Sequence, residues 1–369
     1  MFDRYFINDG VELNWNYIDS IPEFQKLKEC EQTPKWHKEG NAYEHVKCCL
    51  NVAYNLIRDE KWERKDIDRK RCFLMSVLFH DIGKITTTKF IRDDWHSYGH
   101  EVEGDKITRK ILWNEDQTGR ETVCSMVRWH MERCGLNKCR NVADKSLKIA
   151  LFADMEMLYD VMFCDIFGST PEDETSRHTD ISIIDTMRLL GSNANQYNTC
   201  GIRRNLFHNE PCFVNYSIYP KITVLVGLPG SGKDTWISKN VSSDDVVICR
   251  DDIRAELGLC AHGEKIVGTR EQEEIVSKIF NKKLIDAAES SKNIVINNIN
   301  LKKKYRDAYR TLLNKYKYYW VYQVIEAPTL ADNIQRRDGQ INKEVFTNMI
   351  LAFDWPTCDE YDVINIEKQ

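Results

Sequence analysis

The 369-residue sequence has no long hydrophobic run. None of its apolar stretches approaches the roughly 20 residues that a membrane-spanning helix needs, so we expect no membrane partner. Residues 1–6 also lack the pattern of a signal peptide, which favours a cytoplasmic location. Hydrophobic residues make up 42% of the chain and charged residues 30%, a composition typical of a globular protein with room for two domains.

Cysteine pairs of the CxxC type are also missing, although the chain contains 13 cysteines. Apart from the adjacent Cys48 and Cys49 they are scattered, which favours reduced, buried thiols over disulfides. There is no excess of positive charge either. The net charge of −5 argues against a protein that coats nucleic acid, although it allows a local basic face.

A glycine-rich segment is the clearest motif that is present. From residue 224 the sequence reads Val-Leu-Val-Gly-Leu-Pro-Gly-Ser-Gly-Lys-Asp-Thr, an apolar run followed by a turn and the start of a helical pattern. This is the arrangement of a P-loop, in which backbone N–H groups and a lysine bind phosphates. We predict a site for ATP or another NTP with Mg²⁺, formed by Gly227, Gly230, Ser231, Gly232, Lys233, Asp234, Thr235 and, from a later helix, Arg336.

Histidines and carboxylates recur through the first half of the chain, around an adjacent His-Asp pair that ends an apolar helix predicted over residues 72–84. Imidazoles and carboxylates together suit divalent Mn, Fe, Co, Ni or Zn. A pair of such metals polarises a phosphate ester and supplies a nucleophile at neutral pH. Any one of these histidines alone would more often be structural, but the series favours a metal site. The candidate ligands are His45, His80, Asp81, His100, His130 and either Asp154 or Asp165, which both lie on a helix predicted over residues 147–167.

Residues 33–170 resemble the HD-domain phosphohydrolases through this His-Asp pair and the residues around it. The resemblance implies an all-helical domain that binds metal through these side chains. His100 and His130 match the additional histidines of subgroups that bind two metals, so we expect two ions.

The distal aspartate is chosen by the same resemblance. Asp165 lies in Cys-Asp-Ile-Phe-Gly168, which is similar to the family's Ala-Asp-x-x-Gly, so we favour it over Asp154. His37, followed by Glu39, resembles an element that orients substrate in HD domains that process nucleic acids.

From residue 221 the pattern changes to strands that alternate with helices, which predicts a parallel sheet. Polar, loop-like stretches within residues 169–215 indicate a boundary before it. We therefore expect an α plus α/β protein. An all-helical HD domain over residues 1–210, with its core at 33–170, precedes a P-loop kinase domain over 215–369, whose parallel sheet is flanked by helices.

The second predicted strand of this domain ends in Arg-Asp-Asp-Ile-Arg. A carboxylate there lies at the carboxyl edge of the sheet, where ligands bind in open α/β folds. Residues 221–365 resemble the 5′-hydroxyl polynucleotide kinases. The resemblance implies Asp251 as the general base, Arg254 as the clamp on the acceptor nucleotide's 3′-phosphate, and Arg337 as a lid arginine that acts with Lys233.

Three positions depart from that family's pattern. Asp234 replaces the usual Ser or Thr of the P-loop, Asn298 stands where the family has Asp, and Asn333 stands where it has the first lid arginine. We expect Asp234 and Asn298 to be one coupled exchange that preserves charge and oxygen donors for Mg²⁺. The alternative is a weakened or inactive kinase.

An HD domain followed by this kinase resembles the bifunctional enzymes of RNA end healing. The resemblance implies removal of a 2′,3′-cyclic or 2′-phosphate and NTP-dependent phosphorylation of 5′-hydroxyls on single-stranded RNA or DNA ends. No ligase motif is visible, so a separate RNA ligase would seal them. Two alternatives stay open: an HD nucleotidase fused to a small-molecule kinase, and a nucleic-acid-binding protein with a decayed kinase. Residues 302–317, rich in Lys, Arg and Tyr, suit either a single-strand contact or a solvated helix face.

Overall fold

The computed structural model describes residues 1–136, 139–173, 175–191, 200–208, 210, 215–259, 269–338 and 340–369. Their contacts divide the chain into two compact units, Met1–Tyr197 and Asn198–Gln369. This division differs from the boundary predicted near residues 210–215. The helix Cys200–His208 belongs to the second unit because Arg204 donates through Nε to Asp362 Oδ1 at 2.7 Å, inside that unit.

In the described residues of the first unit, helices predominate and two short strands form a β-hairpin. Helices α3 (Ala42–Leu56), α5 (Ile67–Phe79) and α11 (Met155–Gly168) pack against one another, α8 (Gln117–Trp129) packs against α5, and every residue of α5 from Arg71 to Phe79 is buried. Its elements are α1 (Trp15–Ile18), α2 (Pro22–Leu27), α3 (Ala42–Leu56), α4 (Glu60–Glu63), α5 (Ile67–Phe79), α6 (Lys84–Thr87), β1 (Lys89–Ile91), β2 (Asp94–His96), α7 (His100–Ile111), α8 (Gln117–Trp129), α9 (Arg133–Leu136), α10 (Val142–Phe152), α11 (Met155–Gly168) and α12 (Thr175–Gly191).

The prediction of one helix over residues 147–167 is wrong, because the chain breaks between α10 and α11. Ala153 is extended, and Asp154 is the N-cap of α11. Its Oδ1 accepts from the backbone N–H groups of Glu156 and Met157, both at 3.1 Å. Aspartate favours this position because it satisfies N–H groups that have no partner within the helix.

The hairpin β1–β2 is antiparallel, and Lys89 pairs with His96 at its open end. Its two turn residues, Arg92 and Asp93, both have positive φ angles, 53° and 62°. Positive φ at both central positions is the geometry of a type I′ turn, which matches the twist of a two-residue hairpin. Sequence patterns gave no prediction of this hairpin.

The second unit is built around a five-stranded sheet in the order β4-β5-β3-β6-β7, and all of these neighbours are parallel. The predicted parallel sheet flanked by helices is therefore confirmed, with β7 as an edge strand that was not predicted. The elements are α13 (Cys200–His208), β3 (Lys221–Val226), α14 (Lys233–Asn240), β4 (Val246–Ile248), α15 (Arg250–Glu256), α16 (Arg270–Glu289), β5 (Ile294–Asn297), α17 (Lys303–Leu312), β6 (Tyr319–Glu326), α18 (Leu330–Gln335), α19 (Lys343–Leu351) and β7 (Val363–Lys368).

The inner strands of this sheet are buried, as expected for parallel strands covered by helices on both faces. Leu225, Val295 and Ile325 form a core cluster, and Trp236 and Ile237 of α14 pack against it. This packing fixes the start of α14 directly after β3, where the glycine-rich segment lies.

Among the described residues, no helix combines the length and apolar character that spanning a bilayer requires. The cysteines with described side chains are all free, and most of them are buried. For that part of the chain, the predicted reduced thiols agree with the structure.

Candidate metal centre and phosphate-binding loop

Helices from across the first unit bring the six candidate metal ligands into one buried cluster. The structure places Asp165 in this cluster and Asp154 outside it, where Asp154 Oδ2 accepts from Arg69 at 2.6 Å. The positions are His45 on α3, His80 and Asp81 at the C-terminal end of α5, His100 at the start of α7, His130 directly after α8, and Asp165 on α11.

One part of the cluster consists of His45, His80 and Asp165. His45 Nε2 lies 3.0 Å from Asp165 Oδ1 and 3.4 Å from His80 Nε2. Cys49, one helical turn after His45, brings its Sγ to 3.4 Å from His45 Nε2 and within reach of the same ion. Cys49 was not among the predicted site residues, although its i,i+4 spacing from His45 was the available signal.

The other part consists of Asp81, His100 and His130. His100 Nε2 lies 3.2 Å from Asp81 Oδ1 and 3.1 Å from His130 Nε2. Asp81 also connects the two parts, because its Oδ2 lies 3.4 Å from His80 Nε2. The cluster therefore consists of two neighbouring sets of ligands that would suit divalent ions, and Asp81 contacts both sets.

The protonation of the histidines tests whether these side chains fit metal ions. A carbonyl oxygen only accepts, so each Nδ1 that faces one carries a proton, and Nε2 of a neutral ring presents a lone pair. The Nε2 lone pairs then face one another and the carboxylate oxygens, an arrangement of acceptors that fits divalent cations. The three Nδ1–carbonyl distances are all 2.8 Å: His80 to Val77, His100 to Ser97, and His130 to Val127.

Glu39 orients the remaining histidine. Its Oε1 lies 2.8 Å from Nδ1 of both His45 and His37, and its Oε2 accepts from the Thr170 N–H at 2.8 Å. Burial opposes the charged form of Glu39, but the bonds from His37 and His45 outweigh it and hold the pKa of Glu39 well below its usual range. A carboxylate behind a metal-binding histidine fixes its ring and tautomer.

Two cations line the cluster. Lys84 Nζ lies 2.7 Å from Asp81 Oδ2, and Arg133 Nη1 donates to Asp165 Oδ2 at 2.7 Å. Burial raises the pKa of both carboxyl groups, but these cations and the neighbouring histidines outweigh it and hold both pKa values well below the usual range. Lys84 and Arg133 were not among the predicted site residues. Each lies three residues after a ligand, Asp81 or His130, which was the available signal.

Close packing at Gly83 helps to form the cluster. A Cβ atom at this position would lie 2.0 Å from the carbonyl oxygen of His100 and 2.5 Å from the backbone nitrogen of Gly104. Only glycine allows α7 to approach the His-Asp pair this closely, so Gly83 positions His100 beside Asp81.

The cluster forms part of the lining of a pocket of about 640 Å³. Asp81, His100 and Asp165 contribute to it, together with His37. The volume lies in the range of about 300–1,000 Å³ that is typical of sites for small ligands. A phosphate ester with a sizeable organic group can therefore enter.

In the second unit, the glycine-rich segment forms a turn between β3 and α14. Gly232 has a φ of 102°, a left-handed conformation that glycine adopts without strain. Lys233 Nζ donates to the carbonyl oxygens of Gly227 and Leu228, both at 2.9 Å. Burial lowers the pKa of Lys233 to about 8.

Asp234 contacts an amide at the end of β5. Asn297, the last residue of β5, donates through Nδ2 to Asp234 Oδ1 at 2.8 Å. The next residue, Asn298, accepts from the Arg250 N–H at 3.2 Å and lies 3.3 Å from the Tyr309 hydroxyl. The coupled exchange of Asp234 and Asn298 stays a prediction, and the structure adds Asn297 as a contact of this carboxylate.

Burial lowers the pKa of Lys233, and the charge of Asp251 is among those that oppose this lowering. Arg254 binds Asp251 Oδ1 and also forms two bonds to Glu273, from Nε at 2.8 Å and from Nη2 at 2.9 Å. The guanidinium of Arg254 is buried and binds these two carboxylates. Its predicted role as a clamp on an acceptor phosphate stays a prediction.

The segment around α18 lies against the P-loop. Arg336 Nη1 lies 3.3 Å from the Gly230 carbonyl, and Asn333 donates to the Pro229 carbonyl at 3.0 Å. Arg337 is close as well, since a Cβ on Gly230 would lie 3.3 Å from its Cγ. The structure therefore brings both predicted lid arginines to the loop. Ser231 is buried at the turn, and Thr235 is exposed on α14.

The basic stretch at residues 302–317 is partly structural. Arg306 is fully buried and binds Glu360 through Nε at 2.7 Å, and Arg310 donates to the Glu360 carbonyl at 2.8 Å. Lys303 forms an ion pair with Asp359. Tyr305 is exposed, and Lys304 Nζ lies 5.0 Å from the centre of its ring. The arginines therefore hold α17 in place.

Comparison with known families agrees with this division of the chain. Residues 42–186 match the family model of the HD domain, and residues 222–356 match that of an AAA domain. The chain carries an HD domain followed by a P-loop kinase-like domain. The HD match spans all six clustered ligands, and the AAA match spans the P-loop and the segment around α18. None of the curated proteins compared with the chain matches it.

Proposed function

We propose that this protein is a bifunctional enzyme that processes nucleic-acid ends. The HD domain removes a 2′,3′-cyclic or 2′-phosphate, and the P-loop domain transfers phosphate from an NTP to a 5′-hydroxyl. The observation that carries the proposal is that one chain contains both a buried cluster of histidines and aspartates that fits metal ions and a glycine-rich loop with Lys233 at the start of a helix. A separate ligase would then join the healed ends.

In the HD domain, His45, His80 and Asp165 would hold one divalent ion, and Asp81, His100 and His130 the other. When bound, the two ions supply Lewis-acid polarisation of the phosphate and a nucleophile at neutral pH.

The neighbouring side chains then bind and orient the substrate. Lys84 and Arg133 line the pocket and supply positive charge for the phosphate oxygens. Glu39 fixes the ring of His45 and also holds His37 at the pocket wall, where His37 orients the organic group.

In the kinase domain, Asp251 accepts the proton of the attacking 5′-hydroxyl. The hydroxyl oxygen bonds to the γ-phosphorus while the bond from this phosphorus to the nucleoside diphosphate breaks. Lys233 binds the β- and γ-phosphates, and Arg336 and Arg337 stabilise the negative charge on the transferred group. Asp234 would hold Mg²⁺, a cation that prefers oxygen ligands.

A short single-stranded oligonucleotide with a 5′-hydroxyl and a 2′,3′-cyclic phosphate tests both activities at once. It is incubated with Mn²⁺ or Ni²⁺, Mg²⁺ and ATP, and both ends are analysed. We expect Asp81→Ala to abolish phosphate removal and to spare 5′ phosphorylation, and Lys233→Ala to do the reverse. Loss of both activities in either folded variant would contradict two independent sites. An RNA and a DNA 5′ end, compared in parallel, give the polymer preference of the kinase.

A second candidate, a small-molecule kinase in the second unit, is favoured by the contacts of Arg254. Because Glu273 and Asp251 bind its guanidinium, Arg254 holds the catalytic carboxylate rather than an acceptor phosphate. Free nucleosides compared with oligonucleotides separate the two candidates. A polynucleotide kinase requires the 3′-phosphate of the acceptor, whereas a small-molecule kinase phosphorylates both acceptors equally well.

A further inference from the structure

Aromatic side chains line the pocket of the HD domain beside the metal centre. Trp36, Trp95, His96 and Tyr98 all contribute to its lining. Trp36 is 43% exposed and Tyr98 is 75% exposed, values that are high for large rings in a folded protein. The proposed removal of phosphate at the metal centre uses none of these rings.

The Tyr98 ring is held in place by its neighbour. His96 and Tyr98 stack with ring centroids 5.0 Å apart and an angle of 10° between the planes. The stacked histidine covers one face of Tyr98, and the high exposure of the tyrosine leaves the rest accessible. Thr88 and Ser97, whose hydroxyl oxygens are 2.9 Å apart, close the base of the hairpin that carries His96.

The segment that carries Trp36 lines the same pocket as the hairpin. Thr33 and Trp36 on one side, and Asp94 and Tyr98 on the other, all contribute to the lining. Lys35 places its Nζ 4.9 Å from the centre of the Trp36 ring. Trp36 and Tyr98 therefore belong to two segments that line one pocket.

Charge around the pocket limits what these rings can bind. Besides the metal centre, the lining carries the carboxylates of Glu31, Asp94, Glu101 and Asp180. These repel additional phosphates but accept hydrogen bonds from amino and hydroxyl groups. A ligand with one phosphate at the metal centre, a hydroxylated linker and a flat ring satisfies all three parts of the pocket, and a nucleotide has this composition.

We propose that Trp36 and Tyr98 form a base-stacking subsite, which takes the nucleobase of the nucleotide whose phosphate reaches the metal centre. The inference rests on the phosphohydrolase activity proposed above and adds its substrate class. Since a base stacked on these rings is separated from its own neighbours, the subsite selects an unpaired terminal nucleotide. Stacking tolerates all four bases because each has a π-face.

Two substrates that differ only in the base test the subsite. One is adenosine 2′-monophosphate, and the other is methyl riboside 2-phosphate, which has the same sugar and phosphate without a base. We expect the wild type to favour adenosine 2′-monophosphate in kcat/KM, mainly through a lower KM. Trp36→Ala and Tyr98→Ala should each reduce that preference by about 5- to 100-fold, the range for loss of one aromatic–base stack.

Conservative variants distinguish stacking from damage to the wall. Trp36→Phe and Tyr98→Phe keep a ring and should retain most of the preference. Phe90→Ala removes an exposed ring of the same hairpin that is outside the pocket lining, and should leave both substrates unaffected. An unchanged preference in the two alanine variants, or equal use of both substrates by the wild type, overturns the base subsite alone. Hydrolysis of neither substrate by the metal-loaded wild type overturns the proposed phosphohydrolase and the subsite with it.

Discussion

The metal centre and the P-loop represent two different ways of preparing a phosphate site. In the metal centre, protein contacts orient the ligands from behind and leave their metal-binding atoms facing one another. In the P-loop, the side chains that would meet the nucleotide contact the protein itself. Lys233 binds two loop carbonyls, and Asp234 binds Asn297.

This difference predicts how each site responds to its ligand. The metal centre can accept ions with little movement, because its acceptors converge and its histidines are already oriented. The P-loop must exchange internal hydrogen bonds for bonds to phosphate. Mutations should therefore act on the metal centre mainly through ligand loss, and on the P-loop mainly through the balance between internal and nucleotide contacts.

The largest effect is expected from Asp165→Ala. Removal of this carboxylate deprives His45 and Arg133 of their shared partner and the centre of one ligand. We expect loss of bound metal and a fall in phosphohydrolase activity greater than the roughly 100-fold that loss of an outer partner costs. Elemental analysis of the purified protein measures the metal directly.

Asp154→Ala is the matched control for this experiment. Asp154 caps α11 and binds Arg69 outside the cluster, so its loss should cost about 1 kcal/mol of stability and leave the metal content unchanged. Loss of metal in the Asp154 variant and retention in the Asp165 variant would reverse the assignment of the distal ligand.

A smaller effect is expected from Glu39→Gln, which tests the orientation of the metal centre from behind. The amide oxygen can still accept from His45 and His37, but the –NH2 group cannot accept from the Thr170 N–H and the negative charge is lost, so the His45 ring is less well fixed. We expect metal affinity to fall by about 10- to 100-fold. Metal titration of the apoprotein measures this, and excess metal should restore most of the activity. An affinity equal to that of the wild type would show that the cluster is oriented without Glu39.

The sequence predicted the candidate metal ligands better than the side chains that surround them. Histidine and aspartate in series are rare enough to stand out, and the structure brings all six candidates together. Lys84, Arg133 and Cys49 were missed because lysine, arginine and cysteine at helical spacing are common for purely structural reasons. Their role depends on which helix faces which, and a linear pattern does not contain that information.

Three details of the fold could likewise not be predicted from the linear pattern. β7 was not predicted because an edge strand that is half exposed has no continuous apolar pattern. The break before α11 was missed because Asp154, its cap, interrupts an otherwise apolar stretch that reads as one helix. At the end of β5, the sequence does not show which of two consecutive asparagines contacts Asp234, and in the structure Asn297 donates to it.

A third experiment examines that contact in the P-loop through a double-mutant cycle with Asp234→Ser and Asn297→Asp. Asn297→Asp alone would place two carboxylates where a hydrogen bond of 2.8 Å now lies, and Asp234→Ser alone removes the carboxylate that we propose as a ligand for Mg²⁺. We expect each single variant to lower kcat/KM for ATP, and the double variant to recover with a coupling of about 1–2 kcal/mol.

Asn298→Asp, made in place of Asn297→Asp, is the control for this cycle. Its side chain contacts the Arg250 N–H and the Tyr309 hydroxyl, so it should not rescue Asp234→Ser. Rescue by Asn298→Asp together with additive losses at Asn297 would support the coupled exchange of Asp234 and Asn298 that the sequence predicts. A wild type that lacks kinase activity while its HD domain is active would instead favour a decayed kinase.

The smallest expected effect is proton uptake on ATP binding. It follows from the burial of Lys233, whose Nζ donates to two carbonyl oxygens of the loop. Burial lowers the pKa of this ammonium group from 10.5 to about 8, so above that pH the folded site binds fewer protons than the unfolded chain. Its contribution to stability therefore rises with pH between those two values. Nucleotide phosphates bring negative charge to the lysine and raise its pKa again. At about pH 9, ATP binding should thus take up most of a proton.

Calorimetry in two buffers with different ionisation enthalpies measures the uptake as a difference in apparent binding enthalpy. Lys233→Arg keeps the charge at every accessible pH, so any ATP binding that remains in this variant should occur without the uptake. Equal enthalpies for the wild type in both buffers would show that Lys233 is already charged before the nucleotide arrives, and the P-loop would then be as well prepared for its ligand as the metal centre.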